Sequence, residues 1–528
     1  MRLINTTTLQ LSEFMGDETP PYAILSHTWG EGEVTLQKFG DLESAALEPG
    51  FGKIKNSCRL AEGNGIAYIW IDTCCIDKTS SAELTEAINS MFKWYASATI
   101  CYAYLSDLNP GDRITETDND NQPSRQFAQS RWFTRGWTLQ ELIAPTTVEF
   151  YDREWGLRGS KTGLCRAISA VTGIDQEVLN DSSALFGVPI ARRMSWAATR
   201  QTTRLEDIAY SLLGIFDVNM PMLYGEGEKA FIRLQEEIVK DSNDLTLFAW
   251  QAMEANDDGR SPSSVPLKYR GILAKSPAEF ANAGNIVPRS DPRFNEEFAI
   301  TNKGLRINAG VAIGDTGDYI LSLNCSPSKH SKQDIGIYLH QHGASLYARD
   351  KPQDLSTDGP AAAAAAPYPK TIYITKNIAN SVTSASVDQA RHHAIRYRHG
   401  FENGSFIDAR PDNLWDNASK LFLTQGLLSF AGILYFKPDS THNILIIACA
   451  MPERSKPWAV FLDERQMEHI GPALGDQRKV HQLPKRIMMS EKVVQDKKWG
   501  EKRFRISMSL EEEGEGYEPM YCIDIEVD

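Results

Sequence analysis

The chain has 528 residues, of which 42% are hydrophobic, 9% aromatic and 23% charged. This balance excludes wholesale disorder and is enough for two large domains, or for three to four at roughly 150 residues each. A net charge of -14, from 69 acidic against 55 basic side chains, opposes phosphate backbones and anionic lipid surfaces, so nucleic acid is not an expected partner.

The first residues, Met1-Arg2-Leu3-Ile4-Asn5, open no apolar segment of secretory length, and no later stretch approaches the ~20 apolar residues that span a bilayer. The longest, Gly426 to Phe436, contains Ser429 and Gly432. The expected location is cytoplasmic, with the eight scattered cysteines as reduced thiols.

Over the first 250 residues, apolar runs alternate with helical periodicity, which predicts a mostly parallel sheet with helices on its faces. The strands are expected at Tyr22–Leu25, Ala67–Ile71, Ile100–Leu105 and Val148–Tyr151, apolar on both faces as buried parallel strands are. Ser80 and Glu83 form a capping-box pattern ahead of a helix whose core face carries Leu84, Ile88, Met91, Phe92 and Tyr95. Further helices are expected over Arg204–Ile215 and through Ile232, Gln235 and Ile238.

A polar, Gly/Pro/Ser-rich segment closes this first domain, giving expected bounds of 1–252, a linker at 253–266 and a second domain at 267–528. Beyond the linker the periodicity becomes two, as in Gly304–Ala309, Asp318–Leu323 and Tyr521–Val527, which predicts an all-β, sandwich-like domain. An alanine run, Ala361–Ala366, sits between prolines as an expected loop. Turn clusters such as Gly514-Glu515-Gly516 separate its strands.

Ligands of an open parallel sheet bind beyond the carboxyl ends of its strands, where backbone donors converge. Those ends carry Ser26, His27 and Trp29 after the first strand and Asp72 and Asp77 after the second, so these residues are candidates for one rim. Ser and Asp at such places also cap helices, and both readings stand for Asp72 and Asp77. His27, the sole histidine of the first domain, is either a ligand contact or a buried histidine shaping its loop. Adjacent Cys74 and Cys75 lack a basic neighbour and are expected to pack. His340 with His342, and His392-His393 with His399, lack a third convergent ligand, so no metal is expected. No G-x-x-x-x-G-K-[ST] segment is present. Arg204, Glu206 and Asp207 are expected to cap and charge a helix start.

The most informative segment runs from Ser130 to Pro145. Thr138 and Glu141 have capping-box spacing, yet Glu141 is also a carboxylate near Arg131, Trp132, Arg135 and Trp137, fit to stabilise an oxocarbenium-like centre as an N-glycosidic bond breaks. Two readings of Glu141 therefore remain, cap and catalyst.

Tyr22-Ala23-Ile24-Leu25-Ser26-His27-Thr28-Trp29-Gly30, Tyr68–Asp77 and Arg131–Leu142 resemble the three blocks of the fungal heterokaryon-incompatibility (HET) domain. Arg193–Ala197, Thr202–Asp207 and Leu212–Pro221 resemble the segment downstream of those blocks in HET proteins, so the likeness covers about residues 1 to 250. HET domains are in turn similar to Toll/interleukin-1 receptor (TIR) domains, which are flavodoxin-like, although residues 133–136 are inserted relative to the TIR W-x-x-x-E-L helix.

The resemblance implies a role in non-self recognition and regulated cell death. It also implies Glu141 as the catalytic residue of NAD cleavage, with NAD as a substrate and no cofactor. Trp29, Trp132 or Trp137 would then stack on a ring, and Arg131 or Arg135 would meet the pyrophosphate. Self-association through the domain and an unidentified incompatibility partner are implied as well. The alternative is a non-catalytic interaction module with the β-rich domain as sensor.

Overall fold

The structure, a computed structural model, describes residues 1–115, 122–253, 268–314, 317–357, 369–376, 394–399, 405–425, 427, 429–437, 444–451, 457–462, 496–499, 502–511 and 520–527. The expected linker beyond Met253, the alanine run, His392-His393 and the Gly514–Gly516 turn lie outside the described residues. The chain divides into two compact units. The first is Met1–Met253 with Leu273–Asn295 and Leu323–Ile335, and the second is Glu254–Ile272 with Glu296–Ser322 and Gly336–Asp528.

The first unit is built on a seven-stranded sheet: β1 (Arg2–Asn5), β2 (Leu11–Glu13), β3 (Ala23–His27), β4 (Tyr68–Trp70), β5 (Ile100–Tyr104), β6 (Val148–Tyr151) and β7 (Leu157–Ser160), in the order β2-β1-β4-β3-β5-β6-β7. The four central strands are parallel, as expected from their apolar runs. Every residue of β3 is buried. The edges are antiparallel and were not expected, because β1, β2 and β7 are three or four residues long and only partly buried. Register aligns His27 with Tyr104 and Tyr104 with Tyr151, so the carboxyl ends of β3, β5 and β6 finish level and open one rim.

The helix Ser81–Ser97 crosses from β4 to β5 and buries Ala87, Ile88, Met91 and Tyr95. The hydroxyl of Ser80 accepts the Glu83 N–H at 3.4 Å, as its cap pattern predicts. The reciprocal half of the box differs, since the Glu83 carboxylate accepts the N–H of Asp77 at 2.7 Å. The expected helix over Arg204–Ile215 is two short ones, Asp207–Tyr210 and Leu213–Phe216. Gly214 presses against Phe92, and an added Cβ would stand 2.2 Å from that side chain, so only glycine permits the approach.

The second unit is β-rich. One sheet orders Trp415–Asp416, Leu421–Leu423, Ala394–His399, Met520–Val527, Lys502–Glu511 and Asp496–Trp499. Another orders Ser405–Arg410, Phe430–Lys437, Leu445–Met451 and Trp458–Leu462. Ile395, Phe422, Phe504 and Ile523 of the former share a core with Leu434, Phe436, Ile447 and Phe461 of the latter. Alternating inward residues from both sheets make that core, which is what a period of two provides. Among the described residues no helix is long and apolar enough to cross a membrane. All eight cysteines are buried and none is bridged.

Candidate functional site

The segment between β5 and β6 forms two short helices, Arg131–Thr134 and Thr138–Ile143, separated by an extended Arg135. The Gly136 N–H donates to the Gln201 carbonyl at 2.8 Å, and the Gln201 N–H returns to Thr134 at 2.7 Å. A Cβ on Gly136 would come within 2.5 Å of the Thr202 side chain, so the strand-like contact depends on glycine here.

Buried cations hold both ends of the second helix. Arg200 donates to the Arg135 carbonyl at 2.8 Å and to the Thr138 hydroxyl at 2.9 Å. At the other end the Lys161 ammonium donates to the carbonyls of Leu142, at 3.2 Å, and Pro145, where it complements the negative end of the helix. Burial lowers both pKa values, Arg200 to about 9 and Lys161 to about 8.

Glu141 sits on this helix and is 6% exposed. It does not cap. The helix starts at Trp137, which makes no side-chain cap, and the Thr138 hydroxyl lies 2.5 Å from the Trp132 carbonyl. Glu141 Oε2 instead accepts the hydroxyl of Ser26 at 2.5 Å, and the Ser26 oxygen accepts the Trp132 indole N–H at 2.8 Å. The chain of donors fixes the carboxylate from behind. Burial pushes the Glu141 pKa up to about 7; the Ser26 hydrogen bond and the charge of Arg135 pull it down, while Asp72 adds to the rise.

In front of Glu141 lies a cleft of about 690 Å³, a size typical of ligand sites. Thr28, Trp29 and Asp72 line one side, Arg131, Arg135 and Trp137 another, and Thr202, Arg204, Asp207 and Tyr224 a third. Among the described residues Lys78, Arg131, Arg135 and Arg204 form no ion pair within 4 Å, although all four line the cleft. Of its carboxylates, Asp72 accepts the Trp29 indole N–H at 2.9 Å, and Asp207 accepts the Tyr224 hydroxyl at 3.0 Å. Burial opposes the charge of Asp72, but Lys78, His27, Arg135 and the Trp29 hydrogen bond together keep its pKa below the usual value.

Of the residues expected at the rim, Trp29, Asp72, Arg131, Arg135, Trp137 and Glu141 face the cleft. Ser26 and Trp132 lie behind it. Trp132 is 1% exposed, its ring meets Phe133 and Phe150 edge-on, and its N–H is held by Ser26, so it supports Glu141 and offers no stacking face. Asp77 turns away and accepts the Thr79 N–H at 2.9 Å and the Gln37 amide at 3.0 Å. His27 is buried, with neither ring nitrogen hydrogen-bonded and Nε2 3.8 Å from Glu33 and 3.9 Å from Asp72. Burial lowers its pKa to about 4, so it is neutral at pH 7.

The sequence pattern did not single out Lys78 or Tyr224, and it assigned Arg204 and Asp207 to a helix start. Glu206 precedes that helix without capping it, and its carboxylate accepts instead the N–H groups of Gly225 and Gly227 at 2.8 and 3.0 Å. Arg204 lies over the Tyr224 ring at 4.4 Å. The available signal was adjacency, since the Thr202–Asp207 block is joined to the Glu141 segment through Gln201 and Gly136.

Comparison with known proteins matches residues 22–116 to the family Heterokaryon incompatibility protein (HET), and residues 229–305 to a domain of unknown function (DUF8212). The vegetative incompatibility protein HET-E-1 of Podospora anserina is 51% identical over 231 residues, which is 43% of this chain. The match spans 17% of that relative's length. No solved structure matches. Strand β3, strand β4 and the Trp29–Asp72 pair fall inside the matched residues, so it is residues 22–116, at the centre of the first unit's sheet, that match the heterokaryon incompatibility (HET) family.

Proposed function

We propose that the HET domain is TIR-like and cleaves NAD at the nicotinamide–ribose bond, with Glu141 as the catalytic residue. The observation that carries this reading is a buried carboxylate turned from its own helix toward a cleft whose four cations lack ion-pair partners among the described residues. The parallel order β4-β3-β5-β6 also supports it, since the same 2-1-3-4 order occurs in flavodoxin-like sheets.

In this mechanism the bond between the anomeric carbon and the pyridinium nitrogen breaks, and its electron pair leaves with neutral nicotinamide, so no acid is needed. The ionised Glu141 offsets the positive charge developing on the ribose. It then takes the proton of the water that adds to the anomeric carbon, a role suited to a pKa of about 7. Arg131 and Arg135 hold the pyrophosphate, and Ser26 with Trp132 keeps the carboxylate oriented.

The biological role proposed with it is that of the relative's name, vegetative incompatibility, exercised in the cytosol through regulated cell death on contact with an incompatibility partner. Self-association of the HET domain gates the activity. Incubating the full chain with NAD, dilute and concentrated, and assaying free nicotinamide and ADP-ribose tests the proposal. Both products should accumulate, faster per molecule in the concentrated sample. Intact NAD under both conditions would leave the cleft as a docking surface of a non-catalytic module.

A further inference from the structure

The indole of Trp29 is 40% exposed at the cleft, and its N–H is fixed by Asp72 at 2.9 Å. Such a hydrogen bond pins the ring and enriches its faces in electron density, which favours cations. A cation is already there. The Lys78 ammonium lies 3.6 Å from the ring centroid, and the Arg135 guanidinium carbon 5.2 Å. Lys78 makes no hydrogen bond or close ion pair among the described residues, so the ring face holds it, aided by the more distant charge of Asp72. A contact of that kind at an exposed site is weak and easily exchanged.

We infer that the Trp29 face is a subsite for a flat cationic ring, that Lys78 is its resident occupant, and that an anionic group bound in the same cleft draws Lys78 away and uncovers it. The ligand class is then an aromatic cation tethered to a pyrophosphate. This inference rests on the NAD reading for the identity of the ligand, and it adds a specificity device to it. A cation without an anion leaves Lys78 in place and must compete with it. A ligand carrying both groups supplies a closer counter-charge than Asp72 gives Lys78 and occupies the vacated face.

Two simple probes test this on the full chain, 1-methylnicotinamide as the cation and inorganic pyrophosphate as the anion, with binding followed by ligand-observed NMR. Lys78→Ala should bind 1-methylnicotinamide about two- to five-fold more tightly than the unaltered chain, the fold-change of a weak cation–π contact. Lys78→Gln should do the same, and Trp29→Leu should lose the binding. Pyrophosphate should tighten 1-methylnicotinamide binding more in the unaltered chain than in either Lys78 variant. Equal affinity with and without Lys78, equal coupling in all three chains, or binding retained by Trp29→Leu would overturn the inference. No turnover is read, so these outcomes are independent of whether NAD is cleaved.

Discussion

The cations of the cleft differ in one respect from Arg396 and Arg398 of the β-rich unit. On the strands Ala394–His399 and Lys502–Glu511, Arg398 donates to Asp524 at 2.8 Å and to Glu511 at 3.0 Å, and Arg396 approaches Glu511 at 3.4 Å. In the cleft, Lys78, Arg131, Arg135 and Arg204 stand without ion pairs among the described residues, in a chain whose net charge is -14. Paired cations on a sheet face are surface structure, worth little individually. Unpaired ones, drawn together by helix and loop ends in a negatively charged protein, are the cations that the proposed reading assigns to an anionic ligand.

The largest effect expected from that contrast is on pH dependence. With the Glu141 pKa raised to about 7, the ionised form is lost as pH falls. The specificity constant for NAD should therefore drop about tenfold per unit below pH 7. A flat profile between pH 5 and 8 would remove Glu141 from the chemistry.

Stability should show the opposite sign. A carboxyl whose folded pKa lies above its unfolded value of 4.5 contributes stability that is fully present below pH 4.5 and lost as pH rises to about 7. Glu141→Gln keeps an acceptor for Ser26 and removes the buried charge, so it should stabilise the chain by about 2–3 kcal/mol at pH 8 and by nothing at pH 4. Thermal melts at the two pH values read this directly. Destabilisation at both would mean that the carboxylate is a structural partner in its own right.

Next in size is the anion contact. Arg135→Gln should raise KM for NAD about tenfold, the loss of one charge-assisted hydrogen bond, with little change in the fold. The paired counterpart gives the smallest effect. Arg398→Gln should change stability by less than about 1 kcal/mol and leave KM unaltered. If the two arginines behave alike in binding assays, lack of an ion pair is no guide to function here.

Much of this was legible in the chain. Buried parallel strands announce themselves as apolar runs, so β3 to β6 were expected within a residue or two at most ends. Ser80 marked its helix, and the inward alternation of the β-rich unit was readable from a period of two. Short antiparallel edges were not, because three or four partly buried residues carry no period.

The fold divides the candidate residues, bringing Trp29, Asp72, Arg131, Arg135, Trp137 and Glu141 to the cleft and leaving Ser26, His27, Asp77 and Trp132 off its lining. Spacing placed Thr138 and Glu141 in a capping box, but it cannot reveal that Ser26, 115 residues away, claims the carboxylate. It likewise cannot separate Trp29, at the cleft, from Trp132, sealed behind it among Phe133 and Phe150. Lys78 escaped notice because nothing local distinguishes a lysine after an aspartate. Its meaning comes from the ring it lies on.

The most direct measurement is nicotinamide release from NAD by the full chain and by Glu141→Gln at pH 8, compared at equal folded fraction in concentrated samples. The account predicts steady release by the unaltered chain and a loss of roughly two to three orders of magnitude in the variant, as expected when transition-state charge loses its partner. Release undiminished in a folded Glu141→Gln chain would contradict it.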